Sequence, residues 1–208
     1  MDRLAYLIKT HAPGLFVIIE RLARLVVTLR YRRRVHAAKQ DALTTGTVQG
    51  QQATMRVLTV DDAPQLHTFL NNTSADWLQY FQPHPFDEKH LKRILASSAF
   101  LTHGLFIDER LQAYGLLKLT PTGSAFIGLL VDPKMTGLGL GTFIVDHLYW
   151  QASRLRLRAR STISTSNPAS LKSHQAVAQY RVVAELPNNY IMIEFPNVPR
   201  PRPTLQLP

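Results

Sequence analysis

The sequence predicts an α/β domain: a mixed sheet, α+β in its connectivity, with helices on its faces and an amphipathic helical extension ahead of it. Three observations predict this. Strand-like and helix-like segments interleave from about residue 54 to residue 195. Hairpin-type strand pairs come early and last. Between them a near-continuous apolar run, Ala125–Val131, is followed by a glycine-rich loop and a long amphipathic segment. An apolar run buried on both faces, with a crossover helix after it, marks a parallel step inside such a sheet.

The elements follow in order. Thr54–Val60 alternates β-branched residues and reads as the first strand. Asp61-Asp62 caps a helix reaching about Asn72, with Leu66, Phe69 and Leu70 on one face. An aromatic, proline-broken loop runs from Trp77 to Phe86. Asp87 caps a second helix carrying Leu91, Ile94 and Leu95 inward. Phe100–Ile107 and Leu111–Leu119 form a hairpin around Asp108-Glu109-Arg110, and Ala125–Val131 is the buried strand. A helix over about Gly139–Leu155, a strand Arg158–Thr165 and a helix Pro168–Ala178 come next. Val182–Leu186 and Tyr190–Phe195 close the domain across Pro187-Asn188-Asn189. The reading divides the chain into an arm (1–36), a small-polar linker (37–53), the domain (54–196) and a proline-rich tail (197–208).

Composition narrows the function. The 208 residues are 45% hydrophobic and 18% charged, which is globular, and contain no cysteine. A disulfide scaffold, thiolate metal ligands and a cysteine nucleophile are thereby excluded. No His-Glu-x-x-His spacing occurs, so no metal is expected, and no Gly-x-Ser-x-Gly elbow suggests a serine hydrolase. The net charge is +10, of which +7 lies in residues 1–40 and +3 in the rest. A nearly balanced body argues against a nucleic-acid partner. The arm combines the apolar run LFVIIERLARLVVTLR with Arg32, Arg33, Arg34 and Lys39, and places Glu20, Arg21, Arg24 and Thr28 on one stripe. Such a helix suits an anionic membrane surface, or a homodimer contact or packing on the body, through residues 12–34, while a processed leader is disfavoured because no small-residue cleavage site follows an uncharged core.

The glycine loop carries the chemistry. After Val131-Asp132-Pro133, the run Thr136-Gly137-Leu138-Gly139-Leu140-Gly141-Thr142 opens a helix. Small residues let backbone approach a ligand, and the free N–H groups at a helix start favour phosphate or pyrophosphate. The loop lacks the lysine of a nucleotide-triphosphate P-loop. Both registers of a dinucleotide G-x-G-x-x-G fail, at Thr142 and at Ile144.

With the strand ending Val131-Asp132-Pro133, the glycine loop, the later Asn167-Pro168-Ala169-Ser170, His174 and this element order, residues 54–195 resemble the GNAT superfamily of N-acetyltransferases. The head of the loop is Thr136 where the family has Gln or Arg, and Ala178-Gln179 replaces the usual Gly-aromatic pair. The resemblance implies acetyl-CoA as co-substrate. It places the pyrophosphate on Thr136, Gly137, Leu138, Gly139, Leu140, Gly141 and Thr142. The pantetheine arm would run along Leu129, Leu130 and Val131, with Asn167 and Ser170 beside it. An N–H of Leu130 or Val131 would stabilise the oxyanion. His174 aligns with the tyrosine that protonates the leaving thiolate. The base stays open among His84, His103, Asp76, Glu88 and a chain of waters.

Trp77, Tyr80, Phe81, His84 and Phe86 fall at the acceptor side in this order of elements, and they suit a sugar ring or a polar amine. The expected function is acetyl transfer to a primary amine of a small molecule, an amino sugar of a surface glycan being the favoured class. The rival is a catalytically degenerate domain of the same fold that binds CoA or serves at a membrane. A cytoplasmic location, with contact at most to the inner face of the membrane, follows from the use of acyl-CoA.

Overall fold

A computed structural model describes residues 13–208, with the side chains of all of these except 13–21 and 24. The first twelve residues of the expected arm and its charged stripe at Glu20, Arg21 and Arg24 lie outside this description. Helix α1 (Pro13–Gln40) leads into a hairpin of β1 (Thr44–Val48) and β2 (Gln51–Val57). Then come α2 (Ala63–Asn71), the single turn α3 (Ala75–Leu78) and α4 (Glu88–Ala96). Strands β3 (Phe100–Ile107), β4 (Arg110–Leu119) and β5 (Ser124–Val131) precede α5 (Leu140–Arg154). β6 (Arg158–Ser164), α6 (Pro168–Val177), β7 (Arg181–Leu186), β8 (Tyr190–Glu194) and β9 (Leu205–Leu207) complete the chain. One nine-stranded sheet runs β7-β8-β6-β5-β4-β3-β2-β1-β9, with parallel pairing at β5–β6 and β1–β9 and antiparallel pairing elsewhere.

Local chemistry sets these boundaries. Arg56 grips Asp62 with two hydrogen bonds of 2.8 and 2.6 Å, tying the end of β2 to the turn before α2. Asp87 accepts from the His90 amide at the start of α4, and Asn167 accepts from the Ser170 amide at the start of α6. The core lies on both faces of the sheet. Beneath α5, a Cβ on Gly115 would meet Ile144 and Leu148 at 2.9 and 3.1 Å. On the opposite face, Phe81 packs edge-on against Tyr114 at 5.9 Å.

One expectation is corrected. Residues 37–53 are no linker: α1 runs through Gln40 and the β1–β2 hairpin fills the rest, so the sheet begins at Thr44. The tail is anchored, because β9 pairs with β1 and Arg202 donates to the carbonyls of Asp41 and Leu43. The basic run Arg154, Arg156, Arg158, Arg160 is divided among a helix end, a turn and a strand. Arg154 ends α5, Arg156 turns the chain at φ 56°, and only the last two lie in β6.

The arm packs on the body with one side. Val27, Tyr31, Val35 and Ala38 are buried, while Arg30 and Arg34 donate to the carbonyls of Pro121 and Leu155. Also buried are His103 of β3 with His147 and Gln151 of α5, whose side-chain nitrogens and oxygen meet no hydrogen-bond partner among the described residues. The two imidazoles meet edge to face at 4.8 Å. No described helix is long and apolar enough to cross a membrane.

Candidate active site

The sheet splits where it matters. β5 and β6 pair only from Ser124–Phe126 to Arg158–Arg160. Beyond that point β5 stays with β4 to Val131, and β6 stays with β8 to Ser164. Two strand edges therefore face each other across a wedge. The ladder fixes which groups line it. The Asp132 amide donates to Gln112 of the β4 side, so by alternation the Leu130 amide and carbonyl also face β4. The polar groups of Ile127, Leu129 and Val131 face the wedge. Two contacts agree: the Ser161 hydroxyl lies 3.4 Å from the Ile127 carbonyl, and the Trp77 indole donates to the Val131 carbonyl at 2.9 Å. Of the two amides expected for an oxyanion, Leu130 is thus turned away and Val131 is turned inward. The Leu130 side chain is buried, and Leu129 lies within 3.9 Å of where a Cβ on Gly141 would stand.

The glycine loop closes one mouth of this wedge. Asp132 caps a turn by accepting from the Lys134 amide at 2.9 Å, and the Thr136 hydroxyl donates to the Pro133 carbonyl at 2.7 Å. Gly137 and Gly139 hold φ of +83° and +81°, which L side chains resist. A Cβ on Gly137 would meet nothing within 4 Å, so open space stands over that peptide. Gly141 serves packing instead: a Cβ there would stand 3.0 Å from the Ser173 hydroxyl of α6. The first intrahelical bond of this end runs from the Phe143 amide to the Gly139 carbonyl, leaving the amides of Leu140, Gly141 and Thr142 ahead of it. Leu138 and Leu140 pack toward the core and offer only backbone. A loop of this kind, at the start of a 15-residue helix, offers free amides and the positive end of a helix dipole to which an anion can bind.

His174 does not stand where an acid would. It is 1% exposed, stacked on Phe195, and donates from Nδ1 to the Ser170 carbonyl at 2.8 Å. Its Nε2 then has no proton and accepts from the Ser161 hydroxyl at 2.8 Å. Burial pushes its pKa down to about 4, so it is neutral near pH 7. Ser161 is the residue that sequence reading missed. It sits one position past the last β5–β6 pair, at the apex of the wedge. Asn167 spends its carbonyl on the Ser170 amide and keeps its NH₂ as a donor. The Ser170 hydroxyl lies 3.5 Å from His174 Nδ1.

The model of the acetyltransferase (GNAT) family matches residues 66–178, more than half of the chain. The chain belongs to the GNAT acetyltransferase family. Its fold is shared with the GNAT domain of S. lividans PAT (TM-score 0.65, 18% identity, covering 74% of this chain and 96% of that one). It is shared too with ribosomal-protein-S5-alanine acetyltransferase from Vibrio fischeri (0.59, 12%, 74% and 97%). A third similar structure is aminoglycoside acetyltransferase AAC(6')-Ib in complex with coenzyme A and kanamycin (0.54, 17%, 68% and 93%). No protein of curated function matches the sequence.

On the other mouth of the GNAT wedge the aromatic segment divides. Trp77 and Tyr80 are more than one-third exposed, and the Tyr80 hydroxyl donates to the Ser166 carbonyl just past β6. With Trp77 of α3 tied to the end of β5, and Tyr80 just after α3 tied past β6, this segment straps the two halves of the sheet together. Phe81 is buried and stacks on Phe86. His84 donates from Nδ1 to the Pro85 carbonyl, so its Nε2 accepts from the buried Tyr114 hydroxyl at 3.0 Å. Burial lowers the His84 pKa and raises that of Tyr114, and both are neutral near pH 7. Of the other expected bases, His103 is buried against His147 under α5, away from the wedge. Glu88 pairs with Lys92 at 2.6 Å on the exposed start of α4, and Asp76 is exposed on α3. Among the described residues no group of three or more His, Asp or Glu is placed to hold a metal ion.

Proposed function

We propose that this GNAT protein transfers an acetyl group from acetyl-CoA to a primary amine of a small molecule, an amino sugar being the favoured class. The observation that carries the reading is the wedge itself, with a glycine cradle at one mouth and an aromatic strap at the other. The residues fit the co-substrate: the open face of Gly137 and the amides of Leu140, Gly141 and Thr142 would take the pyrophosphate, with Thr136 contributing backbone. Acetyl-CoA supplies the activated acyl group as a thioester. The edge groups of Leu129 and Val131 would line the pantetheine arm, together with the Asn167 NH₂ and Ser170. The Val131 amide is the preorganised donor for the carbonyl oxygen as charge develops on it.

The acceptor lies against Trp77 and Tyr80. The faces of these rings suit a sugar, and the similarity to an aminoglycoside acetyltransferase that binds kanamycin is in keeping with it. The amine, with a pKa near about 10, must arrive neutral. His84 is the one histidine expected as a base that stands on this side, but the Pro85 carbonyl and the Tyr114 hydroxyl engage both of its nitrogens, which leaves water reaching the mouth to take the proton. The Ser161 hydroxyl, oriented by His174, lies at the apex level with Ile127, four residues along β5 from the Val131 amide, and so shapes the floor of the wedge rather than meeting the leaving thiolate. A second reading, cofactor binding without turnover, is favoured by one observation: the one proton of His174 is held on Nδ1 by the Ser170 carbonyl, and its Nε2 has none to give.

Calorimetry with CoA and thiol release on a panel of amines test the proposal. We expect CoA binding and release with amino sugars above polyamines or peptide amines. Binding with no turnover on any amine selects the second reading, and no binding at millimolar CoA overturns both.

A further inference from the structure

The turn after α5 and the arm create a feature that acyl transfer does not use. Arg34, Ala37 and Ala38 of α1 line an open cleft of about 340 Å³ together with Arg154 and Arg156. Arg154 pairs with Asp41 at 2.6 Å, and no carboxylate is described against Arg34 or Arg156. The cleft is remote from the glycine cradle: α5, at 15 residues, is about 22 Å long and carries Gly139 and Arg154 at opposite ends.

The same helix leaves an apolar row uncovered. Leu22, Leu25, Val26 and Leu29 are 57%, 55%, 46% and 76% exposed, opposite the buried Val27, Tyr31, Val35 and Ala38. Leu22, Leu25, Leu29 and Arg33 follow the i, i+3, i+7, i+11 spacing of one helix face. Arg32 and Arg33 continue the surface, Arg30 and Arg34 flank it while reaching back to the Pro121 and Leu155 carbonyls, and no acidic residue occurs between Arg21 and Gln40.

We infer that α1 docks on an anionic phospholipid surface, with Leu22, Leu25, Val26 and Leu29 entering the interface and the Arg34–Arg154–Arg156 cleft holding a lipid phosphate. Charge complementarity selects this occupant. A second copy would bring the same arginine rows together across a symmetric contact, at a cost in like-charge repulsion. An anionic headgroup layer neutralises those rows while the apolar row is buried. With no described helix able to span, the contact lies on the membrane rather than through it. This inference is independent of the transferase reading.

The test is flotation of the full chain with vesicles of phosphatidylcholine alone, and with about one third phosphatidylglycerol. Binding is expected only with the anionic vesicles, weakening with salt. It should fall about fivefold for each of Arg34, Arg154 and Arg156 changed to Ala, and vanish in Leu25→Glu/Leu29→Glu. CoA binding of all these variants should stay at the wild-type value, and so should the thermal midpoint of Arg156→Ala and of Leu25→Glu/Leu29→Glu, whose side chains make no described bond to the body. Failure to float with either vesicle overturns the inference. So does inorganic pyrophosphate stabilising the protein through these arginines without flotation, which assigns the cleft to a free phosphate. So, finally, does a dimer in sedimentation that Leu25→Glu/Leu29→Glu dissolves while vesicle binding persists.

Discussion

The imidazole of His174 carries its proton on the nitrogen facing Ser170, and that placement decides what the residue can do. A side chain that accepts from Ser161 orients a hydroxyl but gives no proton away. His174→Phe should keep the stacking on Phe195 and strip the Ser161 hydroxyl of its 2.8 Å acceptor. The expected cost is about 1–3 kcal/mol, the price of a buried polar group left unmatched. The pH dependence of kcat between about pH 6 and 9 should keep its shape, because no titrating acid is removed. Loss of the alkaline limb in that variant would restore the acid role. Sequence alone suggested His174 by its place in the motif, yet its tautomer is set by a carbonyl one turn back and a serine on another strand. Neither contact is local enough to be read from spacing.

At the scale of elements, the strap and the cradle make separable predictions. Trp77→Phe removes the indole donor from the Val131 carbonyl, and Tyr80→Phe removes the hydroxyl from Ser166. Each should raise KM for the amine while changing the affinity for CoA less than twofold, by about 0.4 kcal/mol or under. Gly137→Ala and Gly139→Ala force a Cβ onto φ of +83° and +81°, costing roughly 1–2 kcal/mol each. Here the affinity for CoA should fall about tenfold or more in calorimetry while the amine's KM moves little. Apart from α3, the elements from α2 to β8 were legible, helped by punctuation at several starts: Asp61-Asp62 before α2, Asp87 before α4, Pro133 after β5 and Asn167-Pro168 at α6. The β1–β2 hairpin was not. Its strands, TTGTV and QQATMRV, are small and polar enough to pass for linker, although Gln49 and Gly50, with φ of 51° and 75°, carry a hairpin turn. β9 has three residues and α3 four, too few for any period to show.

For the whole molecule, the buried histidines dictate an acid-sensitive fold. His103 and His147 are 0% exposed and His174 1%. Burial holds all three below their ordinary range, His147 at about 3 and His174 at about 4. Positive groups face the first two: Lys39 of α1 lies toward His103, and Arg202 of the tail toward His147. In the unfolded chain each titrates near about 6.5. The unfolded state therefore binds more protons once the pH drops below that value. The stability these groups contribute is complete above it and is lost as pH falls toward the folded pKa values. Each histidine removes about 1.4 kcal/mol per pH unit in that window, so three together remove about 4. Against a total stability of about 5–15 kcal/mol, the loss is large before any carboxylate titrates. Burial alone would raise Glu194, but hydrogen bonds from Arg181 and Arg160 hold it below its ordinary 4.5, so its contribution is lost only at lower pH. Denaturation in urea from about pH 6.5 down to pH 5 isolates the histidines, and the free energy should fall steeply across it. In His103→Leu/His147→Leu, which removes four unpartnered ring nitrogens, the slope should fall by about 3 kcal/mol per pH unit, leaving the share of His174 and His84, and stability at pH 7 should rise. A wild-type profile flat across that range would mean that these imidazoles are not buried as neutral groups, and the packing of α1 and the tail over them would need to be redrawn.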